Sequence, residues 1–149
     1  MAPGGGEPPD PPPLKGRTVL AIFAHPDDES LACGGTLRRF ADLGARTVVV
    51  CASRGELGED RSSPSASPSL GPGSRQREGP EHAPDIAQTR ARELAAAAAV
   101  LGVAAVWLLN YPDGSLRWSD TGSLRAALTS AVQRFAPTLV MTFGEDGLY

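Results

Sequence analysis

The apolar positions of this chain fall into four short runs separated by segments of helical character. Val19-Leu20-Ala21-Ile22-Phe23 is continuous rather than alternating, the pattern of a strand covered on both faces. Arg46 to Ala52 is β-branched and apolar through Val48-Val49-Val50-Cys51. Ala104 to Leu109 and Thr138 to Phe143 read the same way. Between the runs, a helix-like segment from Thr36 to Leu43 stops at Gly44. A second, from about Ile86 to Leu101, is rich in alanine, with Asp85 as its cap and Gly102 as its stop. A third, Thr121 to Phe135, places Leu124, Leu128, Val132 and Phe135 on one face. Strand and helix alternate throughout. The expectation is an α/β fold: a Rossmann-like parallel sheet with helices on both faces.

Composition bounds the rest. Residues 1–16 are dense in Gly and Pro and read as a disordered tail, leaving 17–149 for one domain. The stretch 57–84, rich in Ser, Pro, Gly and Arg, reads as a flexible flap or insertion. A net charge of -3 gives no case for nucleic acid or an anionic membrane. No apolar run reaches the length of a membrane span. The two cysteines, Cys33 and Cys51, form no CxxC pair, and the N-terminus lacks the pattern of a signal peptide. A cytoplasmic location is therefore expected, with the cysteines as buried thiols or, for Cys33, a soft metal ligand. Oligomeric state is not legible.

The candidate chemistry sits directly after the first apolar run, in Ala24-His25-Pro26-Asp27-Asp28-Glu29-Ser30. A buried strand thus delivers one imidazole and three carboxylates into a turn at its carboxyl end, where open α/β sheets bind ligands. His25 and Asp28 are spaced so that one turn aims both at one point. Imidazole and carboxylate suit a divalent metal such as zinc. Pro26 stiffens the bend. Asp27 is left to act on water. Glu29 and Ser30 suit a helix start, the hydroxyl as a cap. Asp-Asp-Glu is also what a plain acidic helix start looks like; His-Pro in front of it favours a site.

Ala24-His25-Pro26-Asp27-Asp28-Glu29 resembles the signature of the LmbE-like (PIG-L) zinc-dependent de-N-acetylases, and the resemblance runs from about Arg17 to Tyr149. It implies a metal-dependent hydrolase that removes acetyl groups from small N-acetylglucosamine-type substrates. Zinc-bound water would attack the amide carbonyl, with His25 and Asp28 as metal ligands and Asp27 as general base. Iron in place of zinc is compatible with the same ligands. Arg90, in Arg90-Ala91-Arg92-Glu93-Leu94, is similar to a family arginine that binds substrate oxygens, though a solvated helix charge fits it too. Asp113, before Gly114, is similar to an aspartate that contacts sugar hydroxyls, or is simply a turn former. Tyr149 is similar to a tyrosine that hydrogen-bonds the oxyanion. Ser53-Arg54-Gly55-Glu56 resembles a stretch that walls the site, or is a polar loop. His25, Ser53, Asp113 and Tyr149 are expected on one rim.

The resemblance also sets a departure. After the residues matching Gly147-Leu148-Tyr149, the family continues into a segment bearing a third, histidine ligand and the elements that finish the fold. The 149-residue chain is thus expected to be the N-terminal part of a single domain whose C-terminal part is incomplete. With two protein ligands where zinc sites use three or four, it is expected to bind zinc weakly and to have little activity. Zinc titration against a longer chain checks this; equal affinity contradicts it. Other readings stay open: a thiol-conjugate amidase of the same family, or a binding remnant without catalysis. A nucleotide-binding domain is disfavoured, since the first turn is acidic and lacks G-x-G-x-x-G.

Overall fold

The computed structural model describes residues 13–58 and 85–145. The four apolar runs become strands: β1 (Thr18–Phe23), β2 (Arg46–Cys51), β3 (Ala105–Leu108) and β4 (Leu139–Met141). They form one sheet in the order β3-β2-β1-β4, and every pairing is parallel. Three helices make the crossovers: α1 (Asp28–Asp42), α2 (Ile86–Leu101) and α3 (Thr121–Phe135). The α/β expectation holds.

Strand periodicity explains the two cores. Successive side chains of a strand point to opposite faces. Ala21, Phe23, Val49 and Cys51 therefore share one face, packed with Leu37 of α1 and Leu94 of α2. Leu20, Val48 and Val50 share the other, packed with Ala131 of α3. The chain steps from β1 outward to β3, then returns past β1 to β4. Right-handed crossovers in opposite directions along a sheet put their helices on opposite faces, which is why α3 lies apart from α1 and α2. The point of reversal, beside β1, is where such sheets open a crevice at their carboxyl edge.

The helix ends show what local sequence controls. Asp85 caps α2 by accepting from the Gln88 amide at 3.3 Å, and Asp120 caps α3 by accepting from the Ser123 amide. Gly102 ends α2 in the left-handed region at φ 71°. The first helix departs from expectation. It begins at Asp28 and joins the helix start expected at Glu29 and Ser30 to the segment expected from Thr36, and Cys33, at φ -148° and ψ 19°, interrupts its helical geometry. Gly34 and Gly35 lie inside it; a Cβ on Gly34 would be in ordinary contact with the Leu101 side chain at 3.4 Å, and one on Gly35 would meet nothing within 4 Å. Leu14, within the expected tail, donates its amide to the Leu43 carbonyl at 2.8 Å. Residues 1–12 and 59–84, which hold most of the tail, most of the expected flap and His82, lie outside the described residues. Among the described residues no helix is long and apolar enough to cross a membrane.

Candidate active site

Strand register builds the rim. Phe23 lies opposite Cys51, and Cys51 opposite Leu108, so the segments after β1, β2 and β3 emerge side by side. Ser53 ties the first two together: its amide and hydroxyl both donate to the Ala24 carbonyl, at 2.9 and 3.0 Å. It is fully buried and serves the backbone.

After β1 the chain turns sharply. Asp27 has φ 127° and ψ -25°, a conformation that non-glycine residues rarely adopt and that costs on the order of 1–3 kcal/mol. Glu29 holds it there. Its carboxylate, almost wholly buried, accepts from the Asp27 amide at 3.0 Å and from the Ser30 hydroxyl at 2.6 Å. Ser30 is thus not the helix cap expected of it. The N-cap position belongs to Asp27, whose side chain caps nothing and faces Arg90 instead. Glu29, read from the sequence as a helix-start acid, is the residue that shapes the turn.

Arg90 comes from the first turns of α2. Its Nη2 donates to the Pro26 carbonyl at 2.9 Å and to Asp27 Oδ2 at 2.8 Å. Asp27 is therefore ion-paired rather than standing alone. Arg90 reaches it by passing over Gly55, whose φ is 68°. A Cβ there would meet Arg90 Nε at 3.2 Å and Pro26 Cδ at 3.3 Å, so only glycine lets the guanidinium through. Arg90 Nε is buried and has no hydrogen-bond partner among the described residues.

His25 stands between two carboxylates. Its Nε2 is 3.0 Å from Asp113 Oδ1, and its Nδ1 is 3.6 Å from Asp28 Oδ2. The backbone amide of His25 also donates to Asp28 Oδ2, at 2.9 Å, which fixes the acid against the ring. Asp113 is locked from the β2 side. Its amide donates to Glu56 Oε1 at 2.8 Å, and its Oδ2 accepts from the Leu57 amide at 3.0 Å. Of Ser53-Arg54-Gly55-Glu56, Gly55 lines the cavity and Glu56 braces Asp113, while Ser53 and Arg54 bond elsewhere. Glu56 and Gly55 were individually unremarked because their partners are far away in sequence.

His25, Asp27, Asp28, Arg90 and Asp113 all line one cavity of about 210 Å³, with Leu31 at its edge. A larger groove of about 440 Å³ follows α3, where Leu124, Leu128 and Val132 give it an apolar wall and Arg125 is its one charged lining residue. Tyr149 lies outside the described residues.

The cavity's donors can be tested against a metal. Ligands about 2.1 Å from a tetrahedral zinc ion stand about 3.4 Å from one another. His25 Nδ1 and Asp28 Oδ2, at 3.6 Å, are close to that spacing and are of the right chemical type. Among the described residues no third His, Cys, Asp or Glu joins them in a cluster. The two residues fit part of a zinc shell.

Neither cysteine competes for this role. Both are free thiols. Burial, then the Glu29 charge, raises the pKa of Cys33. The same two causes, followed by Asp28 and Asp27, push Cys51 up to about 12. The sign of the consequence is definite. Between the ordinary value near 9 and about 12, the unfolded thiol has lost its proton and the native one keeps it. Stability therefore falls as pH rises through that window, by up to about 1.4 kcal/mol per pH unit from this residue. Cys51→Ala is expected to flatten the alkaline limb of a stability-against-pH curve by that slope. Urea midpoints at intervals above pH 8.5 measure it, and an unchanged slope contradicts the assignment.

The structure is thus a parallel α/β domain with a histidine and several acids gathered at its strand ends. The family model described as GlcNAc-PI de-N-acetylase, PIG-L, matches residues 20–148, and the chain belongs to that family. A 1D-myo-inositol 2-acetamido-2-deoxy-alpha-D-glucopyranoside deacetylase of Kineococcus radiotolerans is 31% identical over 158 aligned positions, covering 89% of this chain and 40% of that protein. N,N'-diacetylchitobiose deacetylase of Pyrococcus horikoshii superposes with a TM-score of 0.65 at 29% identity, over 86% of this chain and 41% of the other. GalB of Pseudomonas putida, a 4-carboxy-2-hydroxymuconate hydratase, superposes with a TM-score of 0.63 at 27% identity, over 83% and 45%. The chain thus spans less than half the length of each of these proteins.

Proposed function

We propose that this chain carries the amino-terminal half of the active site of a metal-dependent hydrolase. The reaction is removal of an acetyl group from a small N-acetylglucosamine-type substrate. One observation carries the reading: His25, Asp28, Asp27 and Arg90, drawn from β1, α1 and α2, converge on one cavity at the carboxyl edge of a parallel sheet. Two deacetylases of acetylated amino sugars among the similar proteins support it.

His25 and Asp28 would hold the metal, zinc or iron. Bound there, such an ion supplies Lewis acidity, lowering the pKa of water to about 7 and polarising a carbonyl. The chain's own groups supply the rest. Asp27 takes a proton from the attacking water and returns it to the departing amine nitrogen as the amide C–N bond breaks, giving acetate and a free amine. Arg90 engages Asp27 Oδ2 and leaves Oδ1 for that proton. The Arg90 guanidinium, which lines the cavity, is a donor for a sugar or acyl oxygen. Tyr149 is proposed to donate to the oxyanion. A cavity of about 210 Å³ is smaller than the roughly 300–1,000 Å³ of sites that enclose drug-sized ligands. It suits an acetamido group with part of one ring, the remainder of the substrate lying outside.

The hydratase among the similar folds gives the competing chemistry, addition of water to a carbon–carbon double bond. Acetate measurement separates them. The chain, supplied with zinc and an N-acetylglucosamine glycoside, is expected to release a little acetate above a chelator-treated control, and a longer chain that supplies a third ligand to release more. Zinc bound at His25 with no acetate released would contradict the deacetylase reading. Cleavage confined to a thiol conjugate would move it to an amidase.

A further inference from the structure

We propose that Asp113 is a positioning residue that fixes His25 as the Nε2–H tautomer, so that Nδ1 turns its lone pair toward a divalent cation beside Asp28. The inference rests on the metal-dependent reading above and says which histidine nitrogen binds and what decides it.

A neutral imidazole carries one donor and one acceptor nitrogen. An ionised carboxylate only accepts. Asp113 Oδ1, 3.0 Å from Nε2, therefore places the proton on Nε2. Nδ1 is then an acceptor facing a second acceptor, Asp28 Oδ2, at 3.6 Å. Two lone pairs so opposed repel unless a second proton on Nδ1 or a divalent cation lies between them, and the site beside Asp28 offers both. A metal-bound histidine commonly donates its other N–H to a carboxylate in this way, which sets the ring's orientation and raises its basicity as a ligand.

Asp113 is built for this task. Its side chain is about 10% exposed. It accepts from the Gly114 amide at 2.8 Å on Oδ1 and from the Leu57 amide at 3.0 Å on Oδ2, with His25 Nε2 3.0 Å from Oδ1. Two amides and the imidazole together crowd most of the roughly four lone-pair directions of a carboxylate. Little acceptor capacity remains for a sugar hydroxyl, the partner the family resemblance suggests. The loops after β2 and β3 thus meet at one acid that aims the histidine of β1.

The test uses the ¹⁵N-labelled 149-residue chain, with Asp113→Ala and Asp113→Asn beside it. Long-range ¹H–¹⁵N spectra with zinc report which nitrogen is metallated, and His82→Gln assigns the two histidines. Chelator competition gives zinc affinity. In the unaltered chain, zinc is expected on Nδ1, with a slowly exchanging Nε2–H. Asp113→Ala is expected to lose that proton signal and to weaken zinc binding by about 10–100-fold. Asp113→Asn, which keeps an acceptor but not the charge, should fall between. Zinc on Nε2, or unchanged affinity in Asp113→Ala, overturns the positioning role while leaving the metal reading intact. If zinc shifts no His25 signal in any variant, the metal reading itself falls and takes this inference with it. Should Asp113→Ala not fold, the unaltered chain's spectrum decides alone: Nδ1 supports the proposal and Nε2 refutes it.

Discussion

Asp27→Asn is expected to lower deacetylation turnover by about 10²–10⁴-fold, the range associated with a positioned general base. Asn matches Asp in shape and keeps an oxygen that can accept from Arg90. The turn, held by Glu29 through the Asp27 amide at 3.0 Å, does not depend on the side chain's charge. What the amide cannot do is take a proton from water. KM should therefore change little while kcat falls. Zinc stoichiometry should not change, because His25 and Asp28 are untouched. Steady-state kinetics with a metal determination on the same sample measure both. Turnover within about threefold of the unaltered chain would remove Asp27 from the proton transfer.

Arg90→Ala comes next in size, with an expected loss of about 10²-fold in kcat/KM. Two contacts disappear together. Asp27 Oδ2 loses its 2.8 Å partner, so the base is no longer held in one place. Displacing a reacting group by about 1 Å is enough for a loss of that order. The guanidinium that lines the cavity is also lost as a substrate donor. Stability should respond far less. Arg90 is a quarter exposed and Asp27 nearly half, so their pairing is screened by water and contributes about 0–1 kcal/mol. Kinetics and thermal unfolding of the same variant therefore diverge: a large fall in activity, a shift of a few degrees in Tm. A collapse of Tm with kcat/KM preserved would mark Arg90 as structural.

Much of this architecture was legible in the chain itself. Continuous apolar runs such as Val48-Val49-Val50 can only be strands buried on both faces, and the sheet buries them completely. Asp85 and Gly102 marked the ends of α2 because caps act through neighbours a few residues away. The start of α1 was legible in the same way, from Glu29 and Ser30 after His25-Pro26. Its kink was not: nothing local marks Cys33 for φ -148° and ψ 19°.

The site divides along the same line. His25 and Asp28 could be paired from spacing, because one turn contains both. Asp27 and Arg90 are 63 residues apart, and no local pattern announces their ion pair. The strained backbone of Asp27 is likewise invisible in the sequence, since nothing about Asp demands φ 127°. It follows from Glu29 pulling on one amide while Arg90 pulls on the side chain. Asp113 was placed at a strand end correctly. That its carboxylate turns inward to His25 depends on Leu57 and Glu56, which reach it from the loop after β2.

The account turns on one cation shared by His25 and Asp28. Crystals of the chain grown with zinc, and data collected on both sides of the zinc absorption edge, test it directly. The account predicts an anomalous peak within bonding distance of His25 Nδ1 and Asp28 Oδ2, with Asp113 still on Nε2. A peak elsewhere alone, or none at these residues under saturating zinc, would contradict it.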